Sequence, residues 1–238
     1  SIPISLAIVF LVGVLTISYR QIIHEYPEGG GAYIVARSNI GEWSGLIAAA
    51  ALMIDYGLTV AVSAAAGVAA ITSAVPSLFE HRITIGLVAI VLMVMVNLRG
   101  IRESGLVFAI PTHLAIVVLL GMVGVGVAQI LLGHTQPVPP QAGPDGAPIV
   151  ESLSAFLVLR AFAGGCTAVT GMEVISNGVK AFRKPEPHNA SVTMLAMSLI
   201  LAALFMGISA LTYYYGIIPK ADETVVSQLA RTILGGGP

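Results

Sequence analysis

The stretch WSGLIAAAALMIDYGLTVAVSAAAGVAAITSAV, residues 43 to 75, decides the class of fold. Apart from Asp55 it holds no charged residue, and its length exceeds the ~20 apolar residues that span about 30 Å of hydrocarbon at about 1.5 Å per residue. Only a membrane helix accommodates such a run, and this one must tilt or extend into water.

Outward from it, five further apolar runs are expected to cross the bilayer, near residues 2 to 23, 83 to 98, 106 to 132, 153 to 178 and 191 to 216. The composition agrees. The 238 residues are 56% hydrophobic and 10% charged, against about 25% charged in an ordinary soluble domain. A formal net charge of -1 gives no electrostatic footprint for nucleic acid. The first run lacks a basic start and a cleavage site, so it reads as a span and not a signal peptide; the chain begins at Ser1 and is expected to be truncated there. The single cysteine, Cys166, forms no internal disulfide and offers no metal-ligand spacing. We therefore expect one all-α transmembrane domain over 1-238, partial, with six spans.

Cytoplasmic loops retain Lys and Arg. One alternate set of loops holds Arg20, Arg37, Arg99, Arg102, Lys180, Arg183 and Lys184; the other holds Arg82, Arg160, Lys220 and Arg231. The first set is expected inside, with both termini outside. The Pro- and Gly-rich segment from Gly133 to Glu151 has no Lys or Arg and reads as irregular external connector. Trp43 and Tyr213 to Tyr215 fall at span ends, where amphipathic rings settle at the headgroups.

Ionisable groups inside spans cost at least ~2.5 to 3.5 kcal/mol and need a reason. Asp55 lies about 20 Å in from Gly41 by the helical rise. Thr59, Ser63 and Gly67 follow it at helical spacing, and Tyr56 sits one position round. That stripe must face protein or water. Taken alone, Thr59 and Ser63 read as hydroxyls bonded to their own helix carbonyls, but packing does not require a carboxylate.

Glu173 lies in AFAGGCTAVTGMEVISNG, residues 161 to 178, where Gly164, Gly165, Gly171 and Gly178 weaken the span. An interrupted helix at membrane depth is tolerated where it lines a cavity or meets a ligand. Thr170 and Glu173 share one face if the helical turn persists. Arg160 is expected to snorkel to the outer interface. The candidate site is thus Asp55, Tyr56, Thr59, Ser63, Thr170 and Glu173. Its oxygen-only chemistry suits a hard cation or a carried proton.

YRQIIHEYPEGGGAYIVARSNIG (19 to 41) and NLRGIRESG (97 to 105) resemble the loop after the second helix and the basic turn between the fourth and fifth helices of the amino acid-polyamine-organocation (APC) superfamily. DYGLTVAVS (55 to 63) and GCTAVTGMEVISNGVKAF (165 to 182) are similar to the KimA-type potassium importers, relatives of the KUP transporters. The resemblance implies a LeuT-like inverted-repeat fold in which the six spans are helices two to seven, without the first helix and helices eight to ten. It also implies that the six candidate residues surround potassium.

The leading expectation is proton-coupled potassium uptake by alternating access, in a multi-pass protein of the cell (inner) membrane. The alternative is an amino acid permease of the same superfamily. No cofactor is expected, potassium and protons being transported species; the partners are lipid and cargo, with a homodimer left open. Catalysis is not expected, because His113 follows Pro111 far from Ser63 in depth. A purely structural scaffold would need no central carboxylates.

Overall fold

The computed structural model describes residues 2-98, 100-133, 155-220 and 223-235, without the side chains of 101-104 and 106. Arg99, the Arg102 side chain and the connector beyond Gly133 therefore lie outside the described residues.

The described residues are helical, with no strand among them. In chain order they form α1 (Ile2–Glu25), α2 (Gly31–Asn39), α3 (Glu42–Ala74), a 3-10 turn (Pro76–His81) leading into α4 (Arg82–Asn97), and α5 (Ile101–Leu131). Then follow α6 (Ala155–Cys166), a 3-10 turn (Thr167–Val169), α7 (Glu173–Asn177), a 3-10 turn (Val179–Ala181), α8 (Glu186–Tyr214) and α9 (Val225–Leu234).

Among the described residues five helices are long and apolar enough to cross a membrane: α1, α3, α5, α8 and the continuous Pro76–Asn97 segment. The remaining expected span, 153 to 178, is the one that breaks, into α6, its 3-10 extension and α7. Large apolar side chains stand exposed along the spans, Phe10 at 74%, Trp43 at 81% and Met53 at 77%. A surface of this kind suits lipid or further helices, not water.

The chain divides into two compact units. One comprises Leu6–Ser63 and Phe162–Ala202. Here α1 buries Ile8, Val12, Thr16 and Ile23 at steps of four, four and seven, the period of one helix face. The facing part of α8 buries Ala190, Ser191, Met194 and Ser198. Thr16 Oγ1 lies 2.7 Å from Ser198 Oγ, and Arg20 Nε donates to Ser191 Oγ at 2.8 Å. The pairings run in opposite directions along the chain, so the two helices are antiparallel. Small residues and hydroxyls at a helix seam replace the hydrophobic drive that lipid removes, at about 0.6 kcal/mol per polar contact. Near the same end, Lys180 Nζ pairs with Glu28 Oε1 at 2.8 Å. That carboxylate raises the pKa of the Lys180 ammonium. Arg20 and Lys180 both belong to the basic set read as cytoplasmic.

The other unit comprises Ser1–Ser5, Ala64–Ala161 and Ala203–Pro238. Its core joins Met122 of α5 to Leu211 and Tyr215 at the end of α8 and to Leu229 and Ile233 of α9. Gln129 Nε2 donates to Ile233 O at 2.9 Å, covering a carbonyl at the end of α9, while Tyr215 Oη donates to Gln129 Oε1 at 3.2 Å. At the other end of α9, Thr224 caps the helix by accepting the Ser227 amide at 3.2 Å. At ten residues α9 is too short to register as a span; its Val225, Leu229 and Ile233 form one stripe of an amphipathic helix. His113 Nδ1 lies 2.7 Å from Ala109 O in its own helix, an arrangement that leaves it as a hydrogen-bonded helix residue.

Close approach of α5 and α8 depends on Gly207. A Cβ there would lie 2.4 Å from Val123 Cγ1, which overpacks the seam. Gly207→Ala should lower stability by about 1–3 kcal/mol, read as an earlier melting transition of the full-length protein in detergent. Val123→Ala in the same chain should restore most of the loss; a melting point unmoved by Gly207→Ala would show that the helices are not held this closely.

Candidate functional site

The site grows from the break in the fifth apolar run. Helix α6 tightens into the 3-10 turn at Thr167, and Thr170 then leaves helical geometry altogether (φ -62°, ψ 142°). Gly171 follows at φ +89°, a conformation that other residues adopt only under strain. The backbone across the break is held by turn bonds: Thr170 N to Thr167 O at 3.3 Å, Met172 N to Val169 O at 3.4 Å and Val174 N to Gly171 O at 3.2 Å. Val169 and Met172 are buried on either side and anchor it.

Glu173 opens α7 and is 8% exposed. Its carboxyl engages the backbone amides of Gly171 and of Glu173 itself, and meets the Asp55 side chain. Even so, Oε1 is buried with no hydrogen-bond partner among the described residues. Such an oxygen is costly in low dielectric unless something occupies its remaining lone pairs.

From α3, Asp55, Tyr56 and Thr59 are half-buried. Asp55 and Tyr56 interact electrostatically with Glu173, so these three form one cluster. Thr59 is one turn on, about 6 Å along the helix from Asp55. Ser63 is exposed and a further turn away, about 12 Å from Asp55 along the axis. Neither hydroxyl bonds to its own helix among the described residues, whereas Thr16, Thr112 and Ser198 each reach the carbonyl four residues back. The ordinary packing role is therefore filled elsewhere in the chain and not on this stripe.

Thr170 departs from expectation. The helical turn does not persist between it and Glu173, because Thr170 is extended and Gly171 is left-handed. Its side chain is exposed, and Oγ1 donates to Thr167 O at 2.7 Å. It lies within the break itself, with its hydroxyl turned back to the preceding 3-10 turn.

Two residues belong to the cluster that the sequence reading passed over. Tyr19 of α1 interacts with Glu173, Tyr56 and Asp55. It continues the Ile8, Val12, Thr16 spacing, which was the available signal. Asn177, one helical turn after Glu173, donates through Nδ2 to the Tyr56 phenol oxygen; its i, i+4 relation to Glu173 was likewise readable.

The assembled groups are two carboxyls, two phenols, a threonine hydroxyl and an amide. Among the described residues there is no group of three or more His, Cys, Asp or Glu able to hold a metal ion. Two facing carboxylates repel, and a proton or a cation between them relieves the repulsion. Mixed neutral and charged oxygens suit a hard monovalent cation that must also leave.

Residues 1–235 match the amino acid permease family. The chain is also similar to the potassium transporter KimA of Bacillus subtilis (strain 168), at 46% identity over 235 residues, which cover 99% of this chain and 38% of that protein. The chain thus spans well under half the length of this curated relative. The all-helical membrane fold and a match over nearly every residue lead to one conclusion: this multi-pass membrane chain belongs to the amino acid permease family of the APC superfamily.

Proposed function

We propose that this chain carries part of the cation site of a secondary active transporter that takes up potassium with protons by alternating access. The observation that carries the reading is the pairing of two intramembrane carboxyls, Asp55 and Glu173, at a helix break, with Glu173 Oε1 buried and unpartnered. The 46% identity to a protein named as a potassium transporter supports the choice of cargo.

In this reading Asp55 and Glu173 supply negative charge, and the Tyr56 and Thr59 oxygens replace part of the ion's hydration shell. Thr170 and Ser63 lie further out and meet the ion on its way in or out. One carboxyl carries the coupling proton while the other keeps its negative charge for the ion, so the pair holds one proton and one potassium ion together and the two occupancies are linked. Nothing in this scheme requires the chain to catalyse a covalent step.

Uptake of rubidium by the full-length protein in proteoliposomes, driven by an imposed proton gradient, tests the reading. Asp55→Asn and Glu173→Gln should each reduce uptake about 100-fold or more, as expected for removing one partner of a desolvated charge pair. Wild-type uptake in both variants would sink the cation site. Gradient-driven uptake of an amino acid with no rubidium flux would instead assign the chain to an amino acid carrier.

The geometry also orders the hydroxyls. Thr59→Val should raise the half-saturating rubidium concentration about fivefold or more, the cost of one lost polar contact to an ion, and Ser63→Ala should have the smaller effect. The reverse order would mean that the ion sits further along α3 than Asp55.

A further inference from the structure

Asn177 ends α7, and three glycines of the loop before α2 close around it. Gly30 N donates to Asn177 O at 3.1 Å. A Cβ on Gly29 would lie 2.7 Å from that same carbonyl oxygen, and one on Gly31 would lie 1.9 Å from Asn177 Oδ1. Gly29 and Gly31 both have positive φ, +84° and +42°, so neither the space nor the backbone admits a larger residue. Asn177 Oδ1 is buried there without a hydrogen-bond partner. On its other side, the same carboxamide donates to the Tyr56 phenol.

A phenol oxygen has one proton and two lone pairs. Accepting from Asn177 commits one lone pair, which leaves the other, and the proton, for the groups around Asp55 and Glu173. The ring is thereby fixed in rotation as well as in place. The bond survives either orientation of the amide, because a phenol both donates and accepts. Asn177 itself need not touch an ion to matter, since its contacts are with Tyr56 and with the loop.

We infer that Asn177 is a positioning residue that holds the Tyr56 phenol oxygen toward the cation site and is itself held by the Gly29–Gly31 loop, so that the loop's seating on α7 sets the geometry of the site. The inference rests on the reading of Asp55, Tyr56 and Glu173 as that site. It makes the glycine loop part of the binding machinery at one remove: a shift of the loop moves Asn177, and the phenol follows.

The test is a double-mutant cycle on rubidium uptake by the full-length protein in proteoliposomes, with half-saturating concentration and maximal rate measured separately. Asn177→Ala should raise the half-saturating concentration about fivefold to tenfold, the usual consequence of one lost hydrogen bond. The maximal rate should stay within about twofold, which a general loss of folded protein would not allow. Tyr56→Phe should act in the same direction, and the double variant should be no worse than Tyr56→Phe alone. Gly31→Ala should reproduce Asn177→Ala and add little to it. Should Asn177→Ala not yield monodisperse protein, Asn177→Ser, whose side chain is too short for the phenol, takes its place.

Effects that multiply in the double variant, or a Tyr56→Phe defect that Asn177→Ala does not share, would overturn the inference. Asp55→Asn and Glu173→Gln in the same vesicles separate the two levels. Uptake sensitive to both carboxyls but indifferent to Asn177→Ala removes the positioning role alone, whereas uptake indifferent to both carboxyls removes the cation site and the positioning role with it.

Discussion

Within hydrocarbon a backbone amide or carbonyl must find its partner inside the protein, and the chain departs from that rule's simplest solution between Val169 and Glu173. An unbroken helix would have satisfied every group at no cost. The interruption frees backbone groups that the turn bonds at Thr170, Met172 and Val174 only partly recover, at 3.2 to 3.4 Å, and it directs the amides at Gly171 and Glu173 toward a carboxyl. Burying that carboxyl adds at least about 2.5 kcal/mol on the lenient insertion scale. The surrounding unit has to offset both. It does so through the polar seam of α1 and α8 and through the glycine loop closed on α7.

Hydrophobic length was the legible part of the fold. The run read as 43 to 75 is α3, Glu42–Ala74, and the run read as 2 to 23 is α1, Ile2–Glu25; a span is specified by the thickness of its solvent, so its ends follow from apolar content alone. Helices α2 and α9 were not legible by that means. Both are short and mix polar with apolar residues, and an isolated helix of nine or ten residues is marginal. Each exists because of tertiary contacts: α2 is seated by the Gly30 bond to Asn177, and α9 by Leu229 and Ile233 in the core beside α5.

The glycines of the fifth run announced a break without placing it. Gly164 and Gly165 lie inside α6 as ordinary helical residues, while Gly171 alone takes the left-handed turn. Composition registers that a helix is weak; which residue yields depends on what is anchored at either side, here Val169 and Met172. For the same reason the i, i+3 argument that joined Thr170 to Glu173 does not hold, since it presumed the regular turn that the break removes.

Charged groups in the candidate site were conspicuous because lipid penalises them, and neutral ones were not. Asp55 and Glu173 stand out in any apolar run, whereas Tyr19 and Asn177 are unremarkable types in a membrane helix and acquire meaning only from their neighbours. The hydroxyls make the distinction sharper. Thr16 and Ser198 bond to their own helices and to each other across a seam, which is the packing role a membrane hydroxyl usually has. Thr59 has the same chemistry and no such bond among the described residues. A hydroxyl left free one turn from Asp55 keeps its lone pairs for whatever neutralises that carboxyl, and a transported ion, which must be bound and then released, is best served by oxygens that the protein has not already used.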